Sequence, residues 1–216
     1  MTKIKNFRIT LRPREMARWL KKEHGVNIAP EVELAIEQLV KDSRRWIEPA
    51  SVYTTLTRPI AEKTTTIAFP EMAVAVSLIA ASIGPAAERE RSTVSEGDQR
   101  GLLLAALQQE ALSQTLQFAI RLIQDQAKEE ECELSAPVFL QAVTPAEAGA
   151  QNTDALGSGF RRNDGMSSLA SLVGAQRIGI DLTASGPGLP GHALMAWLFW
   201  TPVGKAVSRR PEKAVA

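Results

Sequence analysis

Arg177-Ile-Gly-Ile-Asp-Leu-Thr183, Ser185-Gly-Pro-Gly-Leu-Pro190 and Ala193-Leu-Met-Ala-Trp-Leu-Phe-Trp-Thr201 follow one another near the end of a chain of 216 residues. The first stretch alternates apolar and polar side chains, the period of a strand with one buried face. The second is dense in Gly and Pro and reads as a loop. The third is apolar throughout and stops at Pro202, so it reads as a buried strand. Residues 51–57 and 64–69, rich in Thr, Val and Tyr and each beside a proline, predict two more strands. No strand-helix-strand repeat of the kind a parallel sheet needs links these segments. The reading is therefore α+β. Strands near 51–57 and 177–183 are expected to share one antiparallel sheet, with a long helix packed on it.

The intervening segments carry the helical period. Met16, Trp19 and Leu20 lie on one face of a helix that has Pro13 in its first turn and Gly25 as its stop. A second helix is predicted from Pro30 to about Trp46, with Val32, Ile36, Leu39 and Val40 on its apolar face and its cations late. Residues 70–83 are largely apolar, and their length predicts a buried helix broken by Gly84-Pro85. The charged run over 88–100 predicts an exposed helix and turn. Residues 102–128, rich in Ala and Leu, predict the longest helix of the chain.

The composition excludes several classes of function. Twenty-five basic against 24 acidic residues give a formal charge of +1, which provides no global field for nucleic acid or anionic lipid. The single cysteine, Cys132, forms no internal disulfide and cannot by itself build a zinc site, which fits a reducing, cytoplasmic setting. No apolar run approaches the roughly 20 residues that span a bilayer, and the opening residues lack an export signal's apolar core. The expectation is one soluble domain over residues 7–204 and a flexible polar tail over 205–216, with no membrane and no nucleic-acid partner.

Residues 143–166 break the surrounding pattern. Gly, Ala, Asn and Asp dominate there and no apolar period survives, so an inserted loop or disordered segment is expected. Codons for Gly159-Phe-Arg-Arg-Asn-Asp164 can be written so that their reverse complement encodes Val143-Thr-Pro-Ala-Glu-Ala148 at every position but Thr144. The segment resembles the translated product of a dispersed palindromic repeat.

Stand-alone chemical motifs are weak. Gly186-Pro-Gly188 lacks the spacing of a phosphate loop and its proline removes a donor. Glu129, Glu130, Glu131 and Glu133 point in different directions along a helix end and read as solvated. His24 reads as a helix C-terminus. His192 stands between the Gly-Pro loop and the apolar strand with no assignable nucleophile. Trp197 and Trp200, three apart in a strand, face opposite sides of the sheet, and core packing is the expected role of both.

Placed in order, three stretches carry a resemblance. Ala80-Ala-Ser-Ile-Gly-Pro-Ala-Ala-Glu88 resembles an Ala-Thr-Ile-Gly segment followed by an acidic helix. Glu96-Gly-Asp98 leading into residues 102–107 resembles the next helix start. Arg177 to Pro190 follows an Arg-Ile-Gly-Val, Leu-Thr-Glu-Ser, Pro order without a gap. These are features of the reactivation (activation) domain of vitamin B12-dependent methionine synthase, and the chain resembles its stand-alone relatives. The resemblance implies a bent antiparallel sheet with packed helices. It also implies S-adenosylmethionine as a cofactor, cobalamin carried on a partner protein or domain, and a part in methyltransferase chemistry. Corrinoid-binding proteins or methionine synthase modules are the implied partners. The positions that still match are Ser135, Thr183, Ser185 and Pro190, implied to bind the cofactor, and no residue is assigned a catalytic role. Ser135 alone is kept from the family's Arg-x-Ser-Pro-Gly-Tyr-Gly segment, the acidic residue after Thr183 is replaced by Ala184, and His192 and Ala193 stand where Lys-Ser is usual. The alternatives are a non-catalytic interaction module for a corrinoid protein or methyltransferase, and an eroded inactive relic.

Overall fold

The computed structural model describes residues 1–94, 98–140, 162–182 and 189–204, with the backbone alone at 162–165. The elements are β1 (Thr2–Lys5), α1 (Pro13–His24), α2 (Pro30–Ser43), β2 (Ala50–Thr57), α3 (Arg58–Thr64), β3 (Ala75–Ser82), α4 (Pro85–Ser92), α5 (Gln99–Glu129), β4 (Cys132–Leu134), β5 (Val138–Leu140), α6 (Arg162–Val173), a 3-10 turn (Ala175–Ile178) and β6 (Ala193–Pro202). The fold is α+β, with one bent, unclosed antiparallel sheet. Its strand order is β1-β2-β3-β6-β4, and β5 also pairs with β6.

β3 and β6 form the spine, in register from Ala75 opposite Trp200 to Ser82 opposite Ala193. Both faces of this pair are covered. Ile79, Ala81, Leu198 and Trp200 pack with Leu116, Ala119 and Ile123 of α5. Val76, Leu78, Met195, Trp197 and Phe199 pack on the opposite side with Leu169, Ala170 and Val173 of α6. Trp197 and Trp200 thus enter different cores, and both are buried. The polar end of Trp200 is satisfied: Nε1–H donates to Ser77 Oγ at 2.8 Å, and Ser77 shares a second bond with Thr55. A smaller core joins Met16 and Leu20 of α1 and Val32 and Ile36 of α2 to Leu103 and Leu107 of α5.

Three sequence expectations fail for identifiable reasons. The apolar run at 70–83 is not a helix; its second half is β3, buried along its whole length. A central strand covered on both faces has no solvent face to alternate with, and only Ser77 and Ser82 interrupt the apolar run here, which erases the period-two signal. The Thr-rich stretch at 64–69 is not a strand. Thr64 Oγ1 and Thr65 Oγ1 donate to the carbonyls of Ile60 and Ala61, closing the end of α3, so the hydroxyls terminate a helix. The expected strand at 177–183 is also absent over its described part, 177–182. Gly174 and Gly179, at φ +73° and +79°, bracket the 3-10 turn and place Ile178 and Ile180 in the core without a ladder. Each inner strand already has a neighbour on both sides, so no inner edge was open to this segment.

Most of the suspected insertion, 143–161, lies outside the described residues. Its last five residues, 162–166, are helical and begin α6, which corrects the expectation of irregular structure there. The apolar residues farther along α6 pack on the sheet and carry the helix with them. The tail at 205–216 lies outside the described residues.

Candidate functional site

The end of β3 and the start of β6 meet at a junction that gathers two of the resembling stretches. Beyond Ser82 the main chain keeps a partner, because Ile83 N–H donates to the carbonyl of His192 at 3.0 Å. Gly84 then turns the chain at φ +87°, and a Cβ there would lie 3.2 Å from Cβ of Glu48. Pro85 opens α4, having no amide hydrogen to leave unsatisfied in the first turn. Glu88 falls in that turn, where the helix dipole favours a carboxylate.

His192 is 4% exposed. Its Nδ1 lies 2.7 Å from Glu88 Oε2, and its Nε2 lies 3.4 Å from the carbonyl of Gly179. Both neighbours are acceptors, so a doubly protonated ring satisfies both, and a neutral ring donates from Nδ1 to the carboxylate. Both ring nitrogens face acceptors of the chain. The arrangement is a clasp that holds α4, the 3-10 turn and the start of β6 together. The helix itself is tied to α5 by Gln108, whose Nε2–H donates to the carbonyl of Ala87 at 2.7 Å. The sequence assigns His192 no nucleophile, and the structure gives it a carboxylate instead. Glu88 lies 104 residues away, and only its place just after Gly84-Pro85 hinted at a role.

The matching positions separate in space. Ser135 sits between β4 and β5 on the sheet edge. Leu134 is opposite Trp200 and Val138 opposite Trp197, so three residues on this side face two on β6, which makes a bulge. Ser135 closes it: its N–H donates to the Phe199 carbonyl at 2.9 Å, and its Oγ accepts the Phe199 N–H at 3.0 Å. The hydroxyl then donates to the Ala136 carbonyl. Pro190 is buried, and its carbonyl accepts the Ala193 N–H at 2.9 Å. Phe199 and Ala193 are six residues apart on β6, so Ser135 and Pro190 lie about 20 Å apart at 3.3 Å per residue. Thr183 and Ser185 lie outside the described residues. The two matching positions that are described make these hydrogen bonds inside the chain.

Other candidates resolve simply. Glu129, Glu130, Glu131 and Glu133 are all exposed around the end of α5 and the start of β4. Among the described residues no three His, Cys, Asp or Glu side chains converge as a metal site would need. No described helix is long and apolar enough to cross a membrane. Comparison with the models of known protein families and with curated proteins finds no match.

Proposed function

We propose that the chain is a relative of the reactivation domain of cobalamin-dependent methionine synthase and works beside a corrinoid protein during its reductive methylation. The observation that carries this reading is the meeting of two resembling stretches at the junction of β3 and β6. Ile83 and Glu88 of one stretch are linked, through His192, to Gly179 of another, so segments matched separately in sequence meet at one end of the sheet. The α+β fold with its antiparallel sheet agrees with what the resemblance implies. When bound, S-adenosylmethionine would supply the methyl group, and the chain's own part would be to position and shield.

A second reading is favoured by the state of Ser135 and Pro190. With their polar groups engaged in the bulge and the turn, the chain would dock on a corrinoid protein or methyltransferase without using S-adenosylmethionine, since a fold and its interface can outlast a pocket. Calorimetric titration with S-adenosylmethionine separates the two. Saturable binding near a micromolar constant, about 8 kcal/mol, supports the donor-binding reading. No saturation, together with capture of the chain by a purified corrinoid protein, supports the docking module. Failure of both experiments overturns the proposal.

A further inference from the structure

The segment between β1 and α1 runs along α5 and is fastened to it at two points. Phe7 stacks on Phe118 with ring centroids 4.3 Å apart and planes 11° from parallel. Five residues later, Arg12 Nε–H donates to Glu110 Oε1 at 2.7 Å and Nη2–H donates to Oε2 at 3.3 Å. Glu110 is 6% exposed and also accepts from Gln114 Nε2 at 3.0 Å, so its carboxylate accepts three hydrogen bonds within the chain. The hydrogen bond that it donates to Glu110 raises the Arg12 guanidinium above its already high ordinary value. Between the fasteners, Arg8, Ile9 and Thr10 form one wall of an open cleft of about 230 Å³, and Gln114, Gln117, Phe118 and Arg121 of α5 form the other.

The charges around this cleft do not balance. Arg12 is neutralised by Glu110, whereas neither Arg8 nor Arg121 has an ion-pair partner among the described residues. The backbone amides of Arg8, Ile9 and Thr10 make no hydrogen bond among the described residues either. Two unpaired guanidinium groups, a threonine hydroxyl and two side-chain amides therefore border one concavity. Gln114, Gln117 and Arg121 fall at three- and four-residue spacing, on one stripe of α5. Like charges held around a cleft are relieved by an anion between them, and a guanidinium fork matches the oxygens of phosphate or carboxylate.

We propose that this cleft binds the oxyanion group of a small molecule, a phosphate or a carboxylate, between Arg8 and Arg121. The inference rests on the β1–α1 segment and α5 and is independent of the methyl-transfer reading.

The test is titration of the purified chain at constant ionic strength with inorganic phosphate and, separately, with citrate, following the arginine Nε–H and Phe118 amide resonances by NMR. The expected result is a saturable shift at Arg8, Arg121 and Phe118. Arg8→Gln and Arg121→Gln should each weaken it at least tenfold, while Arg44→Gln, an exposed arginine on another part of the surface, leaves it unchanged. Saturation by phosphate alone or by citrate alone identifies which oxyanion the cleft takes. No saturation by either, or an equal loss in Arg44→Gln, overturns the proposal. Both cleft arginines are exposed, so their replacement should leave the core intact, with circular dichroism spectra matching that of the unaltered chain.

Discussion

His192 Nδ1 and Glu88 Oε2 meet at 2.7 Å across 104 residues of sequence, joining the first turn of α4 to the chain entering β6. The imidazole is almost fully buried and the carboxylate side chain is 49% exposed, so the two partners differ in what their loss costs. His192→Ala removes a buried ring and leaves a void, which for large-to-small core changes costs about 2–5 kcal/mol. Glu88→Gln keeps the shape and one hydrogen bond and, being solvent-screened, should cost about 1 kcal/mol or less. Urea unfolding of both variants checks this order. Equal losses would mean that the ring's packing contributes nothing beyond its bond.

Gly84→Ala should be costlier than Gly25→Ala. Gly25, at φ +63° and ψ 16°, is in the left-handed helical region, which costs an L-residue about 1–2 kcal/mol, whereas Gly84, at φ +87° and ψ 152°, is in a region adopted essentially by glycine alone. Only at Gly84 would the new methyl also press on Glu48, because nothing lies within 4 Å of a Cβ at Gly25. At about 2–4 °C per kcal/mol for a domain of this size, thermal melts should resolve the difference.

Ser135→Ala should expose the Phe199 amide. Without Oγ, that N–H loses its acceptor in the bulge, a loss of about 1 kcal/mol. Hydrogen exchange at Phe199 should quicken by several-fold, and Ser135→Thr, which keeps the hydroxyl, should restore protection. Unchanged exchange in Ser135→Ala would show that the bulge holds without the side chain.

Cys132 should resist alkylation in the folded chain at neutral pH. Burial, and then the charge of Glu130, push its thiol above the ordinary value of 9.0. A group whose folded pKa is raised holds its proton longer than the unfolded chain does. Its contribution to stability is therefore complete below the unfolded pKa and declines as pH climbs from there toward the folded value. Unfolding measured from pH 7.5 to 10.5 should show this alkaline decline, and Cys132→Ala should flatten it. Rapid labelling by iodoacetamide under native conditions would contradict the burial.

Sequence alone determined the elements whose signals are local. Pro13 and Gly25 bound α1 because one lacks the amide hydrogen that a first turn leaves unpaired and the other takes the left-handed conformation at the helix end. The Ala- and Leu-rich run gave α5, 31 residues long, and the apolar stretch before Pro202 gave β6 with its tryptophans on opposite faces. Tertiary structure decided the rest. β3 hid as a helix because neighbours cover both its faces, and the alternation at 177–182 came from a glycine-bracketed turn that plugs the core. The short strands β1, β4 and β5 are four, three and three residues long, too brief for a period to show, and they exist only where β2 and β6 offer an edge. The clasp of His192 with Glu88 and the cleft between Arg8 and Arg121 have no local signature, because each joins side chains that only the folded sheet and the long helix bring within reach.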